Sequence, residues 1–177
     1  MNRFDAALGL GSNVGDKQAN IAQAIALLTA KGDITLVGRS RDYRSAPWGV
    51  EAQDWFVNAA VTVATKLSAR ELLGRCQGVE SEMGRVRRQK WGPRIIDVDI
   101  LTYHDAMIDD PDLIVPHPLI GQRAFVLVPL MDVAPNTTIG GQTLPALLDA
   151  IDHTDIVMMS GKGRGDGGAS RRDVSSK

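Results

Sequence analysis

The segment from Gly84 to Leu101 contains side chains that could bind both a metal ion and an anion. Asp97 and Asp99 lie in a β-branched run, residues 95–101, that is typical of a strand. Successive side chains of a strand point to opposite faces, so the two carboxylates share a face, with Cα atoms roughly 6.5–7 Å apart. Five cations precede them within ten residues, with no acid among them: Arg85, Arg87, Arg88, Lys90 and Arg94.

These residue types suit a polyphosphate held with a divalent cation. Two carboxylates side by side repel each other, and a bound cation removes that cost. Oxygen ligands with no Cys or His nearby favour Mg²⁺ over Zn²⁺. A guanidinium group is a planar donor fork that matches phosphate oxygens. The alternative interpretation is a solvated basic loop followed by a half-exposed strand that carries two surface acids.

Length and composition limit the class of protein. A chain of 177 residues with 44% hydrophobic content can form one domain with a full core. The net charge of −1 and the pI near 6.3 argue against a nucleic-acid partner. A single cysteine, Cys76, excludes an intramolecular disulfide, and no apolar run reaches the roughly 18 residues of a membrane span. We expect a cytoplasmic monomer that binds neither nucleic acid nor membranes.

The hydrophobic pattern predicts strands that alternate with helices. Predicted strands cover residues 4–11, 34–44, 55–65 and 95–101, and helices contain the apolar stripes of residues 21–28 and 72–83 and the short terminal stretch 144–151. Ser68 and Glu71 form a capping box at the start of the second helix. Gly9, Gly11 and Gly15 match neither the dinucleotide fingerprint nor a phosphate loop, so we expect a plain strand-to-helix turn there.

Other polar residues occur at positions that could face a ligand. Asn58 and Phe56 share one face of the third strand, where an amide and an aromatic ring suit a flat heterocycle. The residues alone favour the alternative, a packed Phe beside a surface Asn. Gln77 and Glu80 lie one turn apart on the second helix, where Glu80 could reach an arginine of the next segment. A solvated helix face is the alternative. His117 stands between two prolines, which limits its backbone freedom.

The C-terminal segment has a different composition from the rest of the chain. From about residue 159 it is rich in Gly, Ser and Arg and has almost no apolar content. Such a segment cannot offset the entropy lost on ordering. We therefore expect a single domain over residues 1–158 and a disordered tail over residues 159–177.

Taken in order, the motifs closely resemble the hydroxymethyl-dihydropterin pyrophosphokinases of folate biosynthesis over roughly residues 4 to 152. The motifs that carry the resemblance are Gly11-Ser-Asn13, Ser45-x-Pro47, Asn58, Gly84-Arg-x-Arg87, Trp91-Gly-Pro-Arg94, Asp97-x-Asp99, Pro116-His117 and Arg123-x-Phe125. The resemblance implies an α+β fold with a ferredoxin-like βαββαβ core, in which helices pack on an antiparallel sheet, and a C-terminal extension.

The resemblance also implies an activity and a set of site residues. Pyrophosphate passes from ATP to the hydroxymethyl group of 6-hydroxymethyl-7,8-dihydropterin, giving AMP, with two Mg²⁺ ions on Asp97 and Asp99 and with Arg85 and Arg94 as further catalytic residues. The residues implied in ATP binding are Gln77, Glu80, Arg85, Arg87, Trp91, Arg94, Ile100, His117 and Arg123. The residues implied in pterin binding are Ser45, Pro47, Trp48, Phe56, Asn58, Asp97 and Phe125.

Three positions depart from the family pattern, and two other functions remain open. Ser45 stands where the family often has Thr, Phe56 where a Tyr is common, and His104 at a turn where Gly is usual. A non-catalytic module that docks an acidic partner or nucleotide is one alternative function. An ordinary kinase that moves only the γ-phosphoryl group is the other.

Overall fold

The computed structural model describes residues 4–47, 53–84 and 94–160. The strands are β1 (Ala6–Ser12), β2 (Ile34–Arg39), β3 (Tyr43–Ser45), β4 (Phe56–Thr65), β5 (Asp97–Tyr103), β6 (Ile108–Asp110), β7 (Leu113–Val115), β8 (Thr138–Ile139), β9 (Gln142–Thr143) and β10 (Val157–Met158). The helices are α1 (Lys17–Thr29), α2 (Ala69–Glu82), α3 (Ala124–Val133) and α4 (Leu144–Asp149), and a 3₁₀ turn covers Ile120–Gln122. No helix in these three ranges is long and apolar enough to cross a membrane.

The main sheet is antiparallel and has the strand order β10-β3-β4-β1-β5, with β2 also paired to β4. The chain runs β1-α1-β2/β3-β4-α2-β5, which confirms the predicted α+β class and the βαββαβ order. The hairpins β6–β7 and β8–β9 form two small additional sheets. The last two strands and helices α3 and α4 belong to the extension that follows the core.

The predicted single strand over residues 34–44 is wrong, because the chain forms two strands there. β2 and β3 pair with different parts of the continuous strand β4, and the register of β2 shifts between Leu36 and Gly38. Between the two strands, Ser40 takes over the pairing: its backbone N–H donates to the carbonyl of Ala60, and its Oγ accepts from the N–H of Ala60 at 2.8 Å. After the interruption, β3 pairs with the first residues of β4, at the end of the sheet where residues 45–47 lie.

Both faces of the sheet are covered, so the fold has two hydrophobic cores. Val57 and Val61 of β4 pack with α1, α2 and the inner side chains of β5. Ala60, on the opposite face of β4, packs with Leu127 and Leu130 of α3. The predicted alternation of β4 is therefore correct, and the face that carries Phe56 and Asn58 is also buried along its middle.

Helix α2 forms as its sequence predicts. The Ser68–Glu71 capping box opens it, and the predicted stripe, which includes Leu72 and Cys76, is buried. Burial raises the pKa of the Cys76 thiol to about 12, so this thiol is protonated near neutral pH. Gly84 follows the helix with φ +88°, a conformation that favours glycine and ends the helix.

The strand that carries the two aspartates begins at Asp97, two residues later than predicted. Ile96, Val98 and Ile100 point into the first core, as the alternation predicts. Leu101, on the same face as Asp97 and Asp99, points into the second core. The register with β1 shifts after Ile100, so that Tyr103 packs against the first core. The turn after β5 contains His104 at φ +46°, a left-handed conformation that glycine adopts without strain.

Asp132 of α3 fixes the segment that leads into β3. Its carboxylate accepts hydrogen bonds from the Arg41 backbone N–H at 3.1 Å, from the Arg41 guanidinium at 2.7 and 3.2 Å, and from the Tyr43 hydroxyl at 2.9 Å. Burial raises the pKa of Asp132, but these hydrogen bonds outweigh burial, so the pKa lies below its ordinary value. On its other edge, β3 pairs with β10, and the Met159 N–H donates to the Asp42 carbonyl. Residues 161–177 of the predicted tail lie outside the described residues.

We expect Asp132→Ala to lower the free energy of unfolding by about 1–3 kcal/mol, because it leaves the buried Tyr43 hydroxyl without this acceptor. Urea denaturation measures the difference. Asp109→Ala, which removes an exposed carboxylate on β6, is the matched control and should change stability by less than about 0.5 kcal/mol. Equal effects of the two substitutions would show that Asp132 does not anchor β3.

Candidate active site

A cavity of about 420 Å³ opens where the ends of β1, β3, β4 and β5 meet α2 and the N-terminal end of α3. Twelve predicted site residues line it, although they are far apart in the sequence. They are Ser45, Pro47, Phe56, Asn58, Gln77, Glu80, Arg94, Asp97, Asp99, His117, Arg123 and Phe125.

Of the five other predicted site residues, only Ile100 is among the described residues, and it does not line this cavity. The side chain of Ile100 is 5% exposed and packs in the first core, so only its backbone could face a ligand. Trp48, Arg85, Arg87 and Trp91 lie outside the described residues. Their predicted roles stay predictions.

The aspartates face two glycines on the neighbouring strand. Asp97 pairs with Gly11, and Asp99 pairs with Gly9. Side chains of directly paired residues lie on the same face, so β1 places no side chain beside either carboxylate, and both glycines line the cavity. A Cβ atom at Gly9 would lie 3.2 Å from Leu101, and one at Gly11 would lie 3.3 Å from the Asn58 Oδ1 atom. These two glycines were not predicted as site residues. The sequence feature that could have indicated them is the occurrence of two glycines at alternating positions of one predicted strand.

Cationic side chains surround the aspartates. The Arg94 guanidinium donates a hydrogen bond to Oδ2 of Asp97, three residues further along the chain. Arg123, at the start of α3, interacts favourably with Asp99 and Asp97, although burial is the larger influence and lowers the pKa of its guanidinium. The Arg123 guanidinium also lies 5.7 Å from the ring centre of Phe125. This half of the cavity combines two carboxylates with two arginines.

Glu80 holds the strand between the two aspartates. It is 3% exposed, and its Oε1 accepts a hydrogen bond from the backbone N–H of Val98 at 2.8 Å. The alternative prediction, that Glu80 lies on a solvated helix face, is therefore wrong. Because β5 ends the main sheet, a side chain on α2 supplies the acceptor for this backbone donor. Its predicted contact with an arginine of the following segment stays a prediction.

His117 contributes a hydrogen-bond donor in its neutral form. Its Nδ1 accepts from the backbone N–H of Leu119 at 3.2 Å, so the ring proton of the neutral imidazole lies on Nε2. Its own backbone N–H donates to the Leu101 carbonyl at 3.0 Å, which attaches it to β5. Burial lowers the pKa of His117, Arg123 lowers it further, and Asp97 opposes both.

The cavity is also lined by an amide and two aromatic rings. Asn58 is buried, and its Nδ2 donates to Oγ of Ser45 at 2.8 Å. The surface-Asn alternative is therefore wrong. Serine keeps the hydroxyl that a threonine would supply here, so the departure at Ser45 preserves this hydrogen bond. Phe56 lies beside Asn58 near Gly11, and Phe56, Phe125 and Pro47 all line the cavity.

Gln53 and Asn13 are the other polar site residues that the sequence did not predict. Gln53 lines the cavity, and Asn13 donates a hydrogen bond from its side chain to Oε1 of Gln53 at 3.1 Å. Asn13 also contacts the backbone of Arg94. An Asn that directly follows a strand is common in turns, so its residue type alone did not distinguish it.

The fold and the cavity define an α+β protein with one cavity that is lined by carboxylates, arginines, a buried amide and two aromatic rings. The family profile described as 7,8-dihydro-6-hydroxymethylpterin-pyrophosphokinase matches residues 7–135. The 2-amino-4-hydroxy-6-hydroxymethyldihydropteridine pyrophosphokinase of Methylorubrum extorquens is 49% identical over 151 residues, covering 85% of this chain and 96% of the relative. The Bacillus subtilis protein of that name is 43% identical over 128 residues, covering 72% of this chain and 77% of the relative. The chain belongs to the 7,8-dihydro-6-hydroxymethylpterin-pyrophosphokinase family, which confirms the predicted resemblance.

Solved structures support the fold. An HPPK-DHPS chain in complex with substrates superposes with a TM-score of 0.67 at 14% identity, covering 85% of this chain and 43% of that chain. Wild-type Plasmodium falciparum HPPK-DHPS with pteroate gives a TM-score of 0.66 at 16% identity, covering 85% of this chain and 43% of that chain. This chain thus spans less than half the length of those solved chains, and at these identities the similarity concerns the fold.

The lowered pKa of His117 predicts a pH-dependent stability. A histidine has an ordinary pKa near 6.5, and the folded state resists its protonation, so the unfolded state binds more protons below that pH. Stability from this group is fully present above pH 6.5 and is lost as pH falls through the folded-state pKa. We expect His117→Asn, which cannot titrate, to flatten the decline in free energy of unfolding below pH 6.5.

Urea denaturation of the ligand-free protein between pH 5 and pH 7.5 measures that decline. His153→Asn, at an exposed position, is the control and should retain the wild-type slope. An unchanged slope in His117→Asn would contradict the assigned environment of His117.

Proposed function

We propose that this protein transfers the pyrophosphoryl group of ATP to the hydroxymethyl group of 6-hydroxymethyl-7,8-dihydropterin, giving AMP and the pterin diphosphate. The observation that carries the proposal is the position of Asp97 and Asp99. They lie opposite two glycines, within one cavity that is also lined by arginines, an amide and two aromatic rings. The names of the 49% and 43% identical relatives give the same reaction class.

The two aspartates fit Mg²⁺. Magnesium is commonly bound by one or two carboxylates and completes its shell with water and substrate phosphates. The absence of a group of three or more His, Cys, Asp or Glu ligands among the described residues agrees with a site that substrate completes. When bound, Mg²⁺ supplies charge neutralisation for the phosphates. We propose two ions, on Asp97 and Asp99, as the resemblance implies.

The pterin half would orient the acceptor. The amide of Asn58 hydrogen-bonds the polar edge of the pterin, while Phe56 and Phe125 contact its faces. The hydrogen bond from Asn58 to Ser45 holds the side chain of Asn58 in place, and its Oδ1 lies on the Gly11 side. Main-chain groups near Pro47 line the same half.

The cationic half would bind the triphosphate. Arg94, Arg123 and the Nε2–H of neutral His117 donate to phosphate oxygens, and removal of one such positioned donor typically costs about 10²–10³-fold in turnover. Arg85 and Arg87 are proposed to add further contacts from the segment outside the described residues, with Trp91, Gln77 and Glu80 on the nucleotide side.

The transfer itself is a direct displacement at the β-phosphorus. The hydroxymethyl oxygen forms a bond to that phosphorus as the bond to the α–β bridging oxygen breaks, and AMP leaves with the bridging oxygen. The hydroxyl proton passes to solvent. No covalent enzyme intermediate is needed, so positioning and charge stabilisation supply the rate enhancement.

Incubation with ATP, Mg²⁺ and the reduced hydroxymethyl pterin should yield AMP and pterin diphosphate in equal amounts. Chromatography of the nucleotides measures the products. Omission of the pterin should leave ATP largely intact, because water lacks the contacts with Asn58 and the two phenylalanines that position the acceptor.

ADP as the main nucleotide product would show an ordinary kinase and overturn the pyrophosphoryl assignment. No pterin-dependent nucleotide turnover would favour a non-catalytic binding module. Asn58→Ala is a useful companion variant, since it should raise the KM for pterin by at least about tenfold while the KM for ATP changes much less.

A further inference from the structure

A second cavity, of about 490 Å³, lies at the opposite ends of β1 and β5 from the active site. Its walls are the residues that precede β1, the turn that follows β5, and the β8–β9 hairpin. Within the described part of the chain, it shares no lining residue with the active-site cavity. Leu101 lines the active-site cavity and Thr102 lines the second one, so adjacent residues of β5 separate the two. A cavity of this volume is large enough for a small organic molecule.

Thr102 brings a buried hydroxyl to the second cavity. β5 has one residue more than β1 between the pairs Leu8–Ile100 and Ala7–Thr102, and this bulge puts Leu101 and Thr102 on the same face of the sheet. Thr102 is 7% exposed, and its hydroxyl makes no hydrogen bond with any other described residue. A buried hydroxyl without a partner destabilises a fold, so its presence in a cavity wall points to a ligand that completes it.

The charged groups of the second cavity favour a cation. Asp5 and Asp105 both line it, and no Lys or Arg occurs among its described lining residues. The carboxylate of Asp105 is exposed and forms no ion pair or hydrogen bond with another described residue. Oδ2 of Asp5 accepts a hydrogen bond from the Thr65 N–H at 2.8 Å, and its Oδ1 lies 3.7 Å from Nδ1 of His104. Two carboxylates and one histidine make a wall that attracts positive charge.

The apolar side chains of the second cavity favour an organic cation over a metal ion. Phe4, Met107 and Pro116 line it, and Met107 is 80% exposed. A methionine at a surface adapts its shape to apolar ligands. No group of three or more His, Cys, Asp or Glu side chains that could hold a metal ion occurs among the described residues. The ligand that fits both walls has a cationic head group and a hydrocarbon stem.

We infer that the second cavity is a binding site for a small alkylguanidinium or alkylammonium ion. The head group donates hydrogen bonds to the Asp5 and Asp105 carboxylates and to the Thr102 hydroxyl, as a planar guanidinium with donors in several directions can do. The stem packs on Phe4 and Met107. This inference does not rest on the proposed function, because no residue proposed to bind ATP, pterin or Mg²⁺ lines this cavity.

Titration of the ¹⁵N-labelled full chain with butylguanidinium, followed by two-dimensional NMR, tests the inference. We expect saturable shifts of the amide resonances of residues 102–107 and 136–141, with a Kd of about 1 mM or below for a ligand of this size. Pentanoate, an anion of similar length, should give no saturable shift there. The guanidinium ion alone should bind at least about fivefold more weakly, because it lacks the apolar stem.

Two variants test the two polar contacts separately. Thr102→Val removes the hydroxyl with little change in volume, and Asp105→Asn removes a charge from an exposed position. Each should raise the Kd of butylguanidinium by at least about fivefold, the effect of one lost hydrogen bond. Asp149→Asn, at an exposed carboxylate of α4 outside the cavity, is the matched control and should bind as the wild type does. Thr102→Val should not lower the melting temperature, because the hydroxyl has no partner among the described residues.

Four results would overturn the inference. They are the absence of saturable shifts, shifts confined to residues 97–99 of the active-site cavity, wild-type affinity in both Thr102→Val and Asp105→Asn, and an equal loss of affinity in Asp149→Asn. A lower melting temperature of Thr102→Val would contradict the assigned role of its hydroxyl and show a structural one. Failure of the wild type to form AMP from ATP and pterin would overturn the proposed function and leave this inference standing.

Discussion

The site depends on one constraint: two carboxylates project from the same face of one strand, and the neighbouring strand places no side chains beside them. Strand geometry puts Asp97 and Asp99 together, and their mutual repulsion must be balanced by cations. Gly9 and Gly11 pair with the two aspartates and line the cavity without projecting side chains into it. Arg94 and Arg123 supply part of the balancing charge from the protein. The negative charge of the aspartates that the arginines leave unbalanced is suited to a bound metal ion.

The rest of the fold holds the walls of the cavity in place around this pair. From one face of the sheet, Glu80 of α2 binds the backbone of β5 between the aspartates. From the other face, Asp132 ties α3, which begins beside Arg123 and Phe125, to the segment that enters β3. The C-terminal strand β10 extends the sheet beyond β3. The extension thus braces the wall that carries Ser45, while the βαββαβ core carries the carboxylates.

Residues whose roles follow from local pattern could be predicted from the sequence. Period-two alternation gave the shared face of Asp97 and Asp99, and the capping box gave the start of α2. The position of Glu80 against β5 could not be predicted, because its partner is the backbone N–H of Val98 on that strand. The roles of Gly9 and Gly11 could not be predicted either, because they arise only from the pairing of these glycines with residues of β5. The break between β2 and β3 has the same origin, since Ser40 replaces strand pairing through a tertiary contact with Ala60.

The central claim is that Asp97 and Asp99 hold divalent metal together with the phosphates of ATP. Mn²⁺ binding, followed by electron paramagnetic resonance in the presence of the α,β-methylene ATP analogue, tests this claim most directly. The account predicts that Asp97→Asn and Asp99→Asn each weaken Mn²⁺ binding by at least about tenfold with little change in melting temperature, because a ligand is lost from a cavity rather than a side chain from a core. Asp109→Asn, at an exposed carboxylate on β6, should bind Mn²⁺ as the wild type does. Wild-type Mn²⁺ affinity in both Asp97→Asn and Asp99→Asn would contradict the account.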